Sequence, residues 1–141
     1  MNESGVVHQR GILDTSALIL FNRFQEVGLL PVVSVVTTIT LAELSVGPLT
    51  VKSDVERARR LAHLQQIEAS FNPLPFDVDA ARAFGSVAAS LRQAGRKIES
   101  RRKDAMIAAI ALANDLPVYT CNPRDFEGID GLEVVPIPVP A

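Results

Sequence analysis

The sequence predicts a single α/β domain built on a parallel sheet, and three observations lead there. Short aliphatic and β-branched runs alternate along the chain with segments of helical period, as they do where parallel strands are joined by helical crossovers. The apolar fraction is 48%, ample for a core that covers a sheet on both faces. The chain has 141 residues, the size of one domain, and shows neither an internal repeat nor a linker, so residues 1–141 are read as one unit.

Gly11 to Asp14 (GILD) reads as a short buried strand ending in an acid, with Thr15 and Ser16 placed to cap a helix from Ala17 to Phe24. After Pro31, the run Val32 to Val36 is β-branched and reads as a second, buried strand. Thr38 or Thr40 would cap a short helix, Leu41 to Val46, which Gly47-Pro48 would close. Asp54 to Ala69 is amphipathic, with Val55, Leu61, Leu64 and Ile67 set among charges. Phe71 to Phe76 holds two prolines and is expected to be extended.

Asp77 or Asp79 starts the next helix, which carries Ala80, Ala83, Phe84, Val87, Ala88 and Leu91. Past Gly95 and a polar link, Asp104 to Asn114 (DAMIAAIALAN) is apolar almost all round and is therefore expected at the centre of the core. Leu116-Pro117 leads into a strand Val118 to Thr120, Asn122 to Asp125 forms a turn, and Leu132 to Val135 is a last strand. A tail marked by Pro136, Pro138 and Pro140 follows.

Composition excludes several classes. A single cysteine, Cys121, and two histidines leave no internal disulfide and no thiolate or imidazole zinc cluster. No long apolar stretch precedes Asp14 and no segment is long enough to span a bilayer, so a protein of the reduced cytoplasm, with no membrane partner, is expected. A Ser-His-Asp arrangement, a Walker loop and a dinucleotide glycine pattern are all missing. Net charge is −2, from 14 Lys+Arg against 16 Asp+Glu, which argues against a surface that coats nucleic acid as a whole.

Four acids carry the functional reading. Asp14 ends a strand, Glu43 lies in the first turn of a helix after a strand, Asp104 begins the core helix, and Asp125 lies in the turn after a strand. In open parallel sheets such positions meet beyond the carboxyl ends of the strands. Singly, each has an ordinary role as a cap, a turn residue or a solvated acid. Gathered, they repel, and a divalent cation relieves the repulsion. An all-oxygen set suits Mg²⁺ or Mn²⁺, and such ions activate water for attack on a phosphodiester. Asp14, Glu43 and Asp104 are assigned as ligands, direct or through water; Asp125 is a fourth, with Asn122 an alternative oxygen donor on the same loop. Arg96, Lys97, Arg101, Arg102 and Lys103 lead into Asp104 and are expected to grip the phosphates of a nucleic-acid backbone, with an ordinary solvated face as the alternative. Arg57, Arg59 and Arg60 read as an ordinary polar helix face, His63 as exposed, and His8 as part of a loose N-terminal segment. Two apolar regions, Phe84-Val87-Leu91 and Phe21-Phe24-Leu29-Leu30, read as core, with a dimer or partner groove as the alternative.

Four segments together resemble the PIN-domain family, and within it the VapC-type toxins of bacterial toxin–antitoxin pairs. They are Ile12-Leu13-Asp14-Thr15-Ser16, Thr40-Leu41-Ala42-Glu43-Leu44 with Gly47, Arg101 through Ala109, and Thr120-Cys121-Asn122-Pro123-Arg124-Asp125-Phe126. The resemblance covers nearly the whole chain. It implies a three-layer α/β/α sandwich around the parallel sheet and a Mg²⁺- or Mn²⁺-dependent endoribonuclease, a hydrolase acting on tRNA or rRNA. Asp14, Glu43 and Asp104 match the family's three invariant acids. Asn122 stands where members carry an acid or asparagine, and Asp125 where many carry a further Asp. Thr15, Ser16 and Thr120 match hydroxyl residues that line such sites. A homodimer is implied too, as is a cognate VapB-type antitoxin whose C-terminal segment lies over the site and brings a basic side chain into it. Two other readings share these acids: a metal- or partner-binding module without cleavage, and a small Mg²⁺-dependent phosphatase.

Overall fold

The computed structural model describes residues 8–24 and 28–139. In chain order the elements are β1 (Arg10–Leu13), α1 (Thr15–Ile19), α2 (Phe21–Phe24), β2 (Val33–Val35), α3 (Thr38–Thr50), α4 (Asp54–Ser70), α5 (Val78–Gln93), α6 (Arg102–Ala113), β3 (Val118–Thr120) and β4 (Val134–Pro136). Single 3₁₀ turns, Glu99–Arg101 and Pro123–Phe126, precede α6 and follow β3.

The four strands form one parallel sheet in the order β2-β1-β3-β4. Ile12 of β1 pairs with Val35 of β2 and with Val118 of β3, so the central strands are in close register. Successive side chains of a strand point to opposite faces, and this alternation sorts the core into two halves. Ile12, Val35 and Val118 pack against Ala80, Val87 and Leu91 of α5 and Ile107, Ala108 and Ala111 of α6. Their neighbours Leu13, Val36 and Tyr119 face the other way, onto Leu18 of α1, Phe24 of α2 and Ile67 of α4. The result is an α/β/α sandwich. Burying a side chain such as Leu18 or Phe24 contributes about 1.5–3 kcal/mol. Gly11 lets the sheet close: a Cβ there would lie 2.6 Å from Tyr119 Cε1 and 3.1 Å from Pro31 Cγ.

Helix α6 is central, with Ala105 and Ile107 through Ala111 all buried, as its all-round apolar pattern requires. The structure corrects the sequence reading at several ends. Asp14, not Thr15 or Ser16, caps α1, its carboxylate accepting from Ala17 N. The expected helix to Phe24 breaks at Leu20 into α1 and α2. Thr37, not Thr38 or Thr40, caps α3 through Thr40 N, so the helix starts at Thr38 rather than Leu41 and Glu43 lies in its second turn, not its first. Gly47-Pro48 does not close α3, which runs on to Thr50 with Pro48 buried inside it. Proline breaks a helix by a ring clash and a missing N–H; here Gly47 tolerates the restriction placed on the residue before proline, and Arg57 of α4 donates through Nε to Pro48 O at 3.1 Å. Strand β2 lies at the sheet edge, so Val32 and Val33 are exposed where a buried strand was expected. Asp77 caps α5 as anticipated. The 71–76 segment contributes one parallel bridge, Leu74 to Thr37. Pro140 of the tail falls outside the described residues.

His8 is held, not loose: its Nε2 lies 2.7 Å from Glu133 Oε2 and its ring meets Tyr119 edge-on. Arg57, Arg59 and Arg60 pair with Asp54 and Glu56 along α4. Of the two apolar regions, Val87, Leu91 and Phe24 are buried core, Phe84, Phe21 and Leu30 pack against it, and Leu29 is exposed. No helix among the described residues is long and apolar enough to cross a membrane.

Candidate functional site

The central strands β1 and β3 are neighbours, while the chain leaves β1 for β2 on one side and β3 for β4 on the other. The crevice beyond their carboxyl ends is the switch point at which open α/β sheets bind ligands. Asp14 follows β1 directly and Thr120 ends β3. The second turn of α3 brings in Glu43, the first turn of α6 brings in Asp104, and the turn after β3 brings in Asp125.

Asp14 is buried and fully engaged. Its Oδ1 accepts from Ser16 Oγ at 2.7 Å and from Ala17 N at 2.9 Å, and its Oδ2 accepts from Thr120 Oγ1 at 2.5 Å. The two hydroxyls are oriented in turn, because Cys121 N donates to Ser16 Oγ and Asn122 N to Thr120 Oγ1. Two backbone amides of the turn after β3 therefore fix which way two hydroxyl protons point, and both point at Asp14. Burial still holds the Asp14 carboxyl above its ordinary range; the bonds from Thr120, Ser16 and Ala17 oppose it, and the charge of Asp125 adds to it.

Glu43 is half-buried on α3. Thr15 Oγ1 donates to its Oε1 at 2.7 Å and Lys103 Nζ to its Oε2 at 3.1 Å. Thr40, one turn before Glu43 and buried, stands 3.1 Å from Thr15 Oγ1. The sequence reading treated Thr40 as a cap; its signal as a site neighbour was the spacing of three residues to Glu43, which puts both on one helix face.

Asp104 is the third residue of α6 rather than its cap, and no described residue donates a side-chain hydrogen bond to it. Its carboxyl is pushed up to about 6, by burial first and then by the charges of Asp125, Asp14 and Glu43, with Arg101 acting in the opposite sense. All three other acids are therefore near enough for Asp104 to feel them. Asp125 faces Arg101, with Nη1 3.7 Å from Oδ1. Asn122 is exposed, and its backbone serves Thr120. Burial pushes the Cys121 thiol up, which disfavours a thiolate nucleophile beside the acids.

Of the basic run, Lys97 and Arg102 are exposed, and Arg101 and Lys103 lie against Asp125 and Glu43. Arg96 is tied to Glu127 through the backbone oxygen at 2.9 Å and the carboxylate at 3.6 Å. His63 is partly covered in a cleft of about 530 Å³ between α3 and α4, together with Leu44, Glu56 and Arg60.

As a donor set the acids suit a hard divalent cation: all are oxygen ligands, and Asp104 carries repulsion that a cation would remove. Among the described residues, however, no three His, Cys, Asp or Glu side chains stand close enough together to ligate one ion. Asp14 is held by Ser16, Ala17 and Thr120, while Glu43 and Asp125 face Lys103 and Arg101.

The PIN domain family matches residues 12–132, a span that includes all four acids. Ribonuclease VapC5 of Mycobacterium tuberculosis is 39% identical over 129 residues, 90% of this chain and 93% of that protein. The crystal structure of VapBC-5 from the same organism, a member of the VapBC family of toxin–antitoxin systems, superposes with a TM-score of 0.79 at 38% identity, covering 92% of this chain and 99% of that one. DNA-bound VapBC from Salmonella typhimurium matches with a TM-score of 0.70 at 26% identity, over 91% and 97% of the two chains. Fold and sequence agree: this chain belongs to the PIN-domain family and is homologous to the VapC toxins of toxin–antitoxin systems.

Proposed function

We propose that the protein is a divalent-metal-dependent endoribonuclease and the toxin of a toxin–antitoxin pair. The observation that carries this reading is the state of Asp104, a carboxyl raised to about 6 by burial and by three other acids at the switch point of a parallel sheet. The family membership and the relatives named ribonucleases support it.

Asp14, Glu43 and Asp104 would hold Mg²⁺ or Mn²⁺, with Asp125 or Asn122 as a further oxygen donor. The bound ion supplies a water of lowered pKa and charge stabilisation at the scissile phosphate. The protein's own part is positioning. Ser16 and Thr120 clamp Asp14 so that its carboxylate keeps one orientation, and Thr15 does the same for Glu43. Lys97 and Arg102 at the rim supply phosphate contacts, which position RNA without reading its sequence. tRNA or rRNA is the expected substrate, a homodimer the expected assembly, and a VapB-type antitoxin the expected inhibitor; the solved relatives are of VapBC systems.

Incubating total cellular RNA with purified protein, with and without Mg²⁺ or Mn²⁺, tests the reading when product ends are mapped. Metal-dependent cuts at a few sites, bearing 5′-phosphate and 3′-hydroxyl ends and abolished by Asp104→Asn, are the expected outcome. Ends carrying 2′,3′-cyclic phosphate would contradict metal-activated water. A second reading, a module whose acids hold a partner's basic side chain without cleavage, is favoured by the two acids already paired with Arg101 and Lys103; it expects no cutting by the folded, antitoxin-free protein.

A further inference from the structure

The two outer acids of the site face basic side chains that come from one place. Lys103 Nζ is 3.1 Å from Glu43 Oε2, and Arg101 Nη1 is 3.7 Å from Asp125 Oδ1. Both cations precede Asp104 at the start of α6, while their partners stand on α3 and on the turn after β3. The segment that carries Asp104 thus also carries the counter-ions of the two outer acids.

We infer that Arg101 and Lys103 are built-in counter-ions of this site, which a divalent cation must displace from Asp125 and Glu43 before those carboxylates can ligate it. The inference rests on the metal-site reading above. Among the described residues no three acids stand within reach of one ion, and the outer two each face a cation of their own chain. The pairs are partly exposed, with side-chain exposures of 65% for Lys103 and 43% for Asp125. Exposed pairs contribute about 0.2–1 kcal/mol, weak enough for a divalent ion to break and strong enough to lower its affinity by about two- to fivefold each. Once displaced, an ammonium and a guanidinium are left beside the ion with no carboxylate, where phosphate oxygens would arrive. The same side chains would shield the acids in the metal-free protein and meet RNA in the loaded one. Arg102, between them in sequence, is exposed and has no ion pair among the described residues, so it reports on the general field of a positive charge at this spot.

Mn²⁺ binding to the purified full chain without RNA, followed by the electron-paramagnetic signal of free Mn²⁺, separates these effects. Arg101→Gln and Lys103→Gln should each bind Mn²⁺ about two- to fivefold more tightly. The double variant should bind about tenfold more tightly, since separated pairs add. Arg102→Gln should stay within about twofold of wild type, the reach of a screened rim charge. An equal gain from Arg102→Gln would overturn the inference, because the effect would then be a field and not a pair. Equal or weaker binding by the double variant would overturn it as well, while leaving the metal site standing. If neither wild type nor any variant bound Mn²⁺, the metal-site reading itself would fail and take the counter-ions with it.

Discussion

Asp14 does two jobs with one carboxylate: it caps α1 through Ala17 N and presents a charged group at the end of β1. It can do both because Ser16 and Thr120 donate to it from either side, each held by a backbone amide of the turn after β3. Thr120 is the more exposed to substitution in energetic terms, being itself wholly buried. Thr120→Val keeps the shape but removes the donor to Asp14 Oδ2 and the acceptor for Asn122 N. A lost hydrogen bond to a buried charged group costs about 1.5–3 kcal/mol, so urea unfolding should show a loss of that size, and Thr120→Ser should recover most of it. Asp14 and Asp104 were legible in the sequence because they stand where a local pattern marks them, at a strand end and in the first turn of a helix. Glu43 stands in the second turn of α3 because that helix starts three residues earlier than its pattern suggests. The hydroxyl directions carry no such mark. Thr15 and Ser16 look like caps by position, yet Asp14 takes the cap, and that frees Thr15 for Glu43 and Ser16 for Asp14.

Among elements, α6 and α5 were readable because their patterns are unambiguous: one is apolar all round and the other has a capping Asp77 before a clear apolar face. Helix α3 was misread at its end because Gly47-Pro48 is a stop signal locally, and only packing against α4, with Arg57 reaching Pro48 O and Val51 O, shows why the helix continues. Edge position is likewise not local: Val32 to Val36 is as apolar as a central strand, and its place beside β1 alone decides that Val33 is exposed. Strand β1 offers a sharper test of how closely the elements fit. Tyr119 lies over Gly11, with its ring pinned by His8 on one side. A Cβ at 2.6 Å from Tyr119 Cε1 demands movement of a ring that has little room to move. Gly11→Ala should therefore destabilise the protein by about 1–3 kcal/mol, as overpacking does, and the loss should shrink in a Gly11→Ala/Tyr119→Leu double variant. A simple sum of the two single effects would show that the ring is not the obstacle.

At the scale of the whole molecule, acids at positions 14, 43, 104 and 125 come to one end of the sheet only because a parallel sheet returns every strand in one sense and leaves their carboxyl ends on one side. That much follows from the alternation of strands and helices; the turning of Glu43 and Asp125 toward Lys103 and Arg101 does not, since it joins side chains up to 60 residues apart. The gathering has a thermodynamic consequence that separates a metal site from ordinary helix-start acids. Asp104 titrates at about 6 in the fold against an ordinary 3.8, so the folded state holds that proton more tightly than the unfolded chain. Stability from its protonation is fully present below 3.8 and is lost as pH rises through about 6. In the metal-free protein at about pH 7.5, Asp104→Asn should therefore raise stability, by about 1 kcal/mol or a few degrees in Tm after allowance for solvent screening. The advantage should vanish by about pH 4, where the wild-type carboxyl is protonated as well. Metal reverses the order. An ion that binds only the folded protein stabilises it by about 1.4 kcal/mol at ten times its Kd, so Mn²⁺ should raise the wild-type Tm by a few degrees and leave Asp104→Asn nearly unmoved. An Asp104 that served only the positive end of α6 would behave oppositely, with the asparagine variant less stable at neutral pH whether or not Mn²⁺ were present. Thermal melts of the two proteins at both pH values, with and without Mn²⁺, distinguish the cases by sign alone.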